Sequence, residues 1–140
     1  MTMTSLPSLP SLPSLKLNHL SFPSDDPART AAFFERYLGF TIAMGGAHWI
    51  LKRPGFDVVI EGTPGTAQKW PQTFHVGFEL ASRADVETLY TQMLGDGVPM
   101  ETVVINHERG SRFFCRAPGG VMFELNTRAD AAPAYRGTFN

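Results

Sequence analysis

Short alternating stretches and two longer amphipathic stretches divide the chain into predicted strands and helices. Residues 15–22 alternate apolar and polar side chains, which is typical of a half-buried strand. Asp26 and Pro27 follow as a helix N-cap and a first helical residue, and Gly39 stands where the left-handed C-cap of that helix is expected. Three shorter strands are predicted after this helix, at residues 40–44, 47–53 and 57–62.

The same order of elements is repeated at an offset of 56 residues. Placing His19 over His75 brings Gly39 onto Gly95 without a gap, and apolar positions of the two helices coincide. Ser82 begins the second helix as part of a candidate capping box. The repeat predicts an α+β fold of two tandem βαβββ modules that form a curved mixed-sheet cleft. The strands predicted after the second helix cover residues 98–105, 111–117 and 121–126.

The two ends of the chain differ from the repeated part. Residues 1–14 contain three Ser-Leu-Pro units, and a proline at every third position disfavours both a helix and an interior strand, so we expect a flexible arm. Residues 128–140 are mostly small and polar and are expected to form a tail. Residues 15–127 are expected to form one domain of two modules, 15–66 and 72–127, because neither module is long enough to bury a core alone.

Composition and charge exclude several classes of partner. The 140 residues include 12 Lys+Arg and 13 Asp+Glu, a formal net charge of -1. We therefore expect neither nucleic acid nor membrane as a partner, because both are recognised through a basic field, and no apolar run reaches membrane-spanning length. The single Cys115 excludes an intrachain disulfide and a cysteine-based zinc cluster, and it favours the reducing cytoplasm.

Candidate chemistry comes from residue types that recur at paired positions. The first strand of each module carries His19 or His75, and the last strand carries Glu61 or Glu124. A single strand histidine or glutamate is usually structural, but the same two types in both copies favour a shared role. Two histidines with one or two carboxylates suit Fe, Mn, Ni, Co or Zn. We interpret His19, His75 and Glu124 as a metal triad, with Glu61 as fourth ligand, catalytic base or strand-edge carboxylate.

Four segments carry a family resemblance: Leu-Asn-His-Leu at 17–20, Phe-Phe-Glu-Arg-Tyr-Leu-Gly-Phe at 33–40, Phe-His-Val-Gly-Phe at 74–78 and Ala-Pro-Gly-Gly-Val-Met-Phe-Glu-Leu at 117–125. Together they resemble the vicinal oxygen chelate superfamily, which includes glyoxalase I, extradiol dioxygenases, fosfomycin-resistance enzymes and bleomycin-binding proteins. Ala117 stands where the family usually has Asp. The resemblance implies a divalent metal that holds the adjacent oxygens of a small substrate and stabilises an enolate or oxyanion.

The resemblance indicates two further site residues, and side-chain chemistry indicates two more. His107 matches the second-shell histidine of ring-cleaving dioxygenases, and their tyrosine position is Phe114 here. Arg112 is a candidate for binding a carboxylate or phosphate of the substrate, or else a solvated strand charge. Trp49 is expected to be a pocket wall or a core residue. We therefore predict Glu61 and His107 as catalytic, and Trp49, Phe114 and Arg112 as substrate-binding.

Two function classes remain after these observations. The first is a metal-dependent lyase, isomerase or dioxygenase, expected to be a homodimer that acts on a small molecule. The second is a non-catalytic protein that binds a small molecule, such as an antibiotic, in the same cleft. Bleomycin-binding relatives typically lack the metal residues, so the His19, His75 and Glu124 set favours the enzyme.

Overall fold

The computed structural model of the protein describes Leu6 and residues 11–136. Most of the predicted arm (1–5 and 7–10) and the last residues of the predicted tail (137–140) lie outside the described residues. No helix within the described part is long and apolar enough to cross a bilayer. The elements are β1 (His19–Ser24), α1 (Pro27–Tyr37), β2 (Thr41–Met44), β3 (His48–Arg53), β4 (Phe56–Gly62), β5 (His75–Glu79), α2 (Arg83–Gly95), β6 (Arg112–Arg116), β7 (Met122–Asn126) and α3 (Pro133–Arg136).

The first module forms a four-stranded mixed sheet in the order β1-β4-β3-β2. β1 runs parallel to β4, and the other neighbours are antiparallel. The strand predicted at 15–22 begins only at His19, because β4, its neighbour in the sheet, starts at Phe56. Leu15 and Leu17 therefore precede the sheet and are exposed.

The second module forms a three-stranded mixed sheet in the order β5-β7-β6. The first strand predicted after the second helix is not formed: Met100 and Ile105 make only isolated bridges to β6. The backbone amides of Glu101 and Thr102 both donate to the carbonyl of Phe114, and the Thr102 hydroxyl accepts from the Phe114 amide at 3.1 Å. The Thr102 hydroxyl thus takes the place of a backbone carbonyl as acceptor for Phe114, and this interrupts the regular backbone hydrogen bonding between this segment and β6.

The helix ends follow their predicted capping residues. The Asp26 carboxylate accepts from the amide of Arg29 at 3.2 Å at the start of α1, and Gly39 adopts φ +74° just beyond its end. The Ser82 hydroxyl accepts from the amide of Asp85 at 3.1 Å at the start of α2. Local capping chemistry therefore determines where both helices begin.

One hydrophobic core joins the two modules. Phe34 of α1 is fully buried and packs edge-to-face against Phe123 of β7, with ring centroids 5.2 Å apart, and Phe33 stacks on the same ring at 5.8 Å. Trp70, between the modules, donates from its indole nitrogen to the carbonyl of Gly119 at 2.9 Å. The predicted α+β class with mixed sheets is confirmed. Because the core covers one face of each sheet, the opposite face stays open.

Candidate functional site

The open face of each sheet carries the side chains predicted to bind a metal. Alternation along β5 places His75 and Glu79 on the open face, while Val76 and Phe78 pack against the core. The same alternation along β7 brings Glu124 to the open face beside them. The open face of the second sheet therefore carries a histidine and two carboxylates, although the three are not close enough to hold one metal ion between them.

A pocket of about 410 Å³ opens over this face of the second sheet. It combines arginine, carboxylate, histidine and amide side chains, so its wall is polar and carries both signs of charge. Its lining includes His75, Glu79, Arg112, Glu124, Asn126 and Arg128.

His75 is oriented by a hydrogen bond from its own ring. Nδ1 lies 2.8 Å from the carbonyl oxygen of Thr73. A carbonyl oxygen can only accept, so Nδ1 carries the proton, and in the neutral imidazole the Nε2 lone pair is left for a ligand. The Phe114 ring meets the imidazole edge-to-face at a centroid distance of 5.3 Å, which further restricts the ring.

Glu124 is the enclosed carboxylate of this pocket. Its side chain is 17% exposed, against 52% for Glu79. Its Oε2 accepts from the Asn126 amide at 2.6 Å, and its Oε1 lies 4.0 Å from Nη1 of Arg112, beyond hydrogen-bond distance. The Arg112 guanidinium in turn lies 5.8 Å from the centre of the Phe114 ring. The Glu124 carboxylate thus accepts a hydrogen bond at one oxygen from the Asn126 side-chain amide, and its other oxygen lies near the positive charge of Arg112.

Two polar atoms beside Glu124 are buried without a partner. Nε of Arg112 and Oδ1 of Asn126 form no hydrogen bond with any residue that the structure describes. One is a donor and the other an acceptor. Both belong to side chains that line the pocket.

His19 lies on the open face of the first sheet, in a separate and shallower pocket. Its Nδ1 lies 2.7 Å from Oδ1 of Asn18. The oxygen can only accept, so here too the Nε2 lone pair is left available. Lys52 and Asp57, which line the same pocket, form an ion pair at 3.2 Å.

Glu61 does not occupy the position in its module that Glu124 occupies in the other. Glu124 of β7 pairs with Gly77 of β5, which is two residues after His75. The corresponding residue of β1, two residues after His19, is Ser21, and it pairs with Val59 of β4. Glu61 pairs with Pro23 instead, at the far end of β1. The prediction that Glu61 and Glu124 occupy equivalent positions in the two modules is therefore wrong, because their positions differ by two residues of strand register.

The structure gathers only part of the predicted site within one chain. His75, Glu124, Arg112 and Phe114 come together, whereas His19 and Glu61 lie on the other sheet. Across the described residues, no three His, Cys, Asp or Glu side chains are grouped so that they could hold a metal ion.

A family model described as Glyoxalase/Bleomycin resistance protein/Dioxygenase superfamily matches residues 16–125. The chain belongs to this superfamily. The predicted membership of the vicinal oxygen chelate superfamily is thereby confirmed. No protein of curated function matches the chain.

Solved structures of the superfamily share the fold. A possible glyoxalase from Bacillus cereus is 26% identical with a TM-score of 0.70, and the match covers 81% of this chain and 99% of that one. A lactoylglutathione lyase from Agrobacterium tumefaciens is 14% identical with a TM-score of 0.66, covering 83% and 96%. A Nocardioides glyoxalase/bleomycin resistance protein/dioxygenase is 16% identical with a TM-score of 0.68, covering 88% and 90%. The last two show the fold alone.

Two further residues predicted for this superfamily member lie away from the pocket. His107 is exposed in a turn, where its Nδ1 accepts from the amide of Arg109 at 3.2 Å, and it is not among the described residues that line the pocket. Trp49 packs against the core, whereas its neighbour Ile50 faces the open side of the first sheet. Their catalytic and substrate-binding roles stay predictions.

Sequence reasoning missed three polar residues of the pocket. Asn126 holds Glu124, and Glu79 forms an ion pair with Arg128 at 3.4 Å. The two-residue alternation could have found Glu79 from His75 and Asn126 from Glu124, because side chains two apart share a strand face. Arg128 lies beyond β7 and carries no such signal.

The thiol of this chain is not part of the site. Cys115 lies on the core face of β6 and is buried. Burial disfavours the thiolate and raises the pKa of Cys115 to about 12. The residue is thus a small core side chain rather than a nucleophile.

Proposed function

We propose that this protein is a divalent-metal-dependent enzyme of the superfamily, a lyase, isomerase or dioxygenase that acts on a small substrate with adjacent oxygens. One observation carries the proposal: His19 and His75 both commit Nδ1 to an oxygen acceptor and leave Nε2 available. This is the arrangement that orients metal-binding histidines in general, because the outer hydrogen bond selects the tautomer and raises ligand basicity.

The donor set fits a catalytic metal. Two imidazoles and the Glu124 carboxylate suit Fe, Mn, Ni, Co or Zn and leave positions open for a substrate. When bound, such an ion polarises substrate oxygens as a Lewis acid. Asn126 holds Glu124 at 2.6 Å and so orients the carboxylate.

For Glu61 we propose the role of catalytic base rather than fourth ligand. His75 and Glu124 are separated by two register steps, about 7 Å at 3.3 Å per residue, but His19 and Glu61 by four, about 13 Å. That separation is too long for both side chains to reach one ion at about 2 Å each. It leaves room for a substrate between His19 and Glu61, whose carboxylate would accept its proton.

We further propose that the site forms across a homodimer. His19 and His75 line separate pockets on different sheets of one chain, and both side chains are exposed. A second copy can bring its first sheet over the second sheet of the first copy, and twofold symmetry then completes two equal sites. We also propose the cytoplasm as the compartment, supported by the single cysteine, Cys115, which is buried as a thiol.

The test is metal content in a heterodimer of two defective chains. His19→Ala and His75→Ala are co-expressed with different tags, the heterodimer is isolated, and metal is quantified after reconstitution. If each site takes His19 from one chain and His75 from the other, one site of the heterodimer keeps both histidines and the second site loses both. We therefore expect one ion per heterodimer and none in either homodimer. His48→Ala, an exposed strand histidine, serves as the matched control and should retain full metal content.

Three outcomes would contradict the proposal at different levels. A heterodimer without metal would place both histidines of each site in one chain. Full metal content in the His75→Ala homodimer would remove His75 from the site. A wild-type protein that binds no divalent metal under any condition would leave a non-catalytic binder of small molecules as the better account.

A further inference from the structure

A second pocket, of about 340 Å³, lies where α1 of the first module meets the second module. One wall of this inter-module cleft is a single face of α1, because the residues that α1 contributes recur at helical spacing. They are Arg29, Ala32, Phe33, Arg36 and Tyr37. The opposite wall consists of residues 96–99 and 116–118 of the second module. Among the described residues, the cleft shares no lining residue with the pocket that contains His75.

The inter-module cleft offers apolar surface that a ligand can reach. Ala32 and Pro99 are exposed. Tyr37 on one wall and Pro118 on the other are half-buried, and Phe33 is buried against Tyr37 with ring centroids 5.0 Å apart. Small-molecule sites are typically clefts of this kind, mostly apolar with a few polar groups that fix the orientation of the ligand. Rings on both walls favour a flat apolar group between them.

Three arginines line this apolar surface, and two of them are anchored by carboxylates. Arg36 donates from Nε and Nη2 to Oδ2 of Asp96, at 3.2 and 3.1 Å. Arg116 donates from Nε to Glu101 at 2.8 Å and from Nη1 to the carbonyl of Gly120 at 3.0 Å. These hydrogen bonds fix both guanidinium planes, and they use neither Nη1 of Arg36 nor Nη2 of Arg116. Each guanidinium can therefore donate to a ligand while keeping its anchor.

The third arginine, Arg29, supplies the charge that attracts an anion. Its Nε lies 3.9 Å from Oδ2 of Asp26, beyond hydrogen-bond distance, and its side chain is 77% exposed, so this ion pair is weak. Asp96, the carboxylate that lines the cleft, accepts from Tyr37 and Arg36, and these hydrogen bonds lower its pKa. Because the Asp96 charge is matched by Arg36, the guanidinium of Arg29 is left for a monoanion.

We propose that the inter-module cleft binds an aromatic monocarboxylate. The carboxylate accepts from the arginines of the cleft, Arg29 above all, because a planar guanidinium donates to both carboxylate oxygens in parallel. The ring lies between Tyr37 and the prolines of the opposite wall. Neither Arg29 nor Tyr37 lines the pocket that contains His75, so this site goes beyond the proposed function and does not rest on it.

The probe that tests this site is 2-naphthoate, added to the full-length protein and followed by calorimetry. Naphthalene-2-methanol has the same ring without the charge, and acetate has the carboxylate without the ring. We expect 2-naphthoate to bind at least about tenfold more tightly than either, since hydrogen bonds between charged groups are the strong ones and the ring buries apolar surface. Its affinity should be the same with and without added divalent metal.

Two variants test the two walls, each with a matched control on α2. Arg29→Gln removes the charge and should weaken 2-naphthoate about fivefold, whereas Arg83→Gln, at an exposed arginine at the start of α2, should not. Ala32→Phe fills the cleft from an exposed position of α1 and should abolish binding. Ala84→Phe, at an exposed alanine of α2, should bind 2-naphthoate like the wild type. Thermal unfolding of each variant establishes that it is folded.

The outcomes separate the inter-module cleft from the pocket over the second sheet. No binding of 2-naphthoate, equal binding of the uncharged alcohol, or unchanged binding in Ala32→Phe would overturn the cleft as a site. Binding that requires metal, or that is lost in Arg112→Gln but not in Arg29→Gln, would place the ligand over the second sheet and overturn it as well. Binding that is lost in Ala32→Phe, in a protein that holds no metal, would support the cleft while contradicting the metal-dependent enzyme.

Discussion

His75 and Glu124 lie on neighbouring parallel strands, two register positions apart, and open into one pocket. Each of the two side chains is oriented by a hydrogen bond to a neighbouring residue. The Thr73 carbonyl accepts from His75 and selects its tautomer, and the side-chain amide of Asn126 donates to the Glu124 carboxylate. Glu61 and His19 stand twice as far apart along their strands. The two modules thus contribute unequally to the candidate site, although they arose from one pattern.

Glu124→Gln should lower divalent-metal affinity by more than the 10–100-fold that loss of an outer-shell partner typically costs, because it removes a charged ligand. Glu61→Gln should leave metal content unchanged, since its register position is too far from His19. Metal titration of both variants checks this pair. Equal loss of metal in both would contradict the different roles assigned to the two glutamates.

Asn18→Ala should weaken metal binding about 10–100-fold without removing any ligand, because Asn18 orients the His19 ring through a 2.7 Å hydrogen bond. Ser21→Ala, an exposed position on the same strand, is the control and should bind metal normally. Competition with a coloured chelator measures both affinities. Unchanged affinity in Asn18→Ala would mean that His19 is not a ligand.

Asp130 should stabilise the fold at neutral pH and lose this effect in acid. Burial raises its pKa, but hydrogen bonds from the hydroxyl and amide of Ser111 outweigh burial and hold the pKa below its usual range. A pKa lowered by folding contributes stability above the unfolded value, about 3.9, and loses it as pH falls through the folded value.

Asp130→Ala should therefore lower the free energy of unfolding at pH 7 by about 1 kcal/mol, since partial exposure screens the charge. The difference from wild type should begin to shrink below about pH 4, and it should disappear only when the pH has fallen through the lowered pKa of Asp130, where the folded wild type has lost the charge as well. Urea unfolding at several pH values measures it. A difference that is constant with pH would show that the Asp130 charge is not the cause.

Cys115 should be unreactive in the folded protein. Because the thiol is buried and its pKa is raised to about 12, alkylation by iodoacetamide at pH 8 should proceed only after unfolding in denaturant. Mass spectrometry of native and unfolded samples gives the extent of modification. Rapid alkylation of the native protein would contradict the packing of β6 against the core.

Local patterns predicted the elements well where the cause is local. The Asp26 and Ser82 caps act within three residues, and both helices begin after them. The missing strand near Thr102 was not predictable in this way, because the Thr102 hydroxyl meets the Phe114 amide across 12 positions of sequence.

The sequence by itself determined the repeat, the α+β class and the residue types that the open faces display. His75 and Glu124 are predictable from the sequence because both the repeat and the two-residue alternation of each strand can be seen in the order of residue types along the chain. The register of β1 against β4, the separation of His19 from His75, and the opposition of Arg112 and Asn126 were decided only by the tertiary structure. These depend on hydrogen bonds between distant strands and on the shared core around Phe34, which no local pattern specifies.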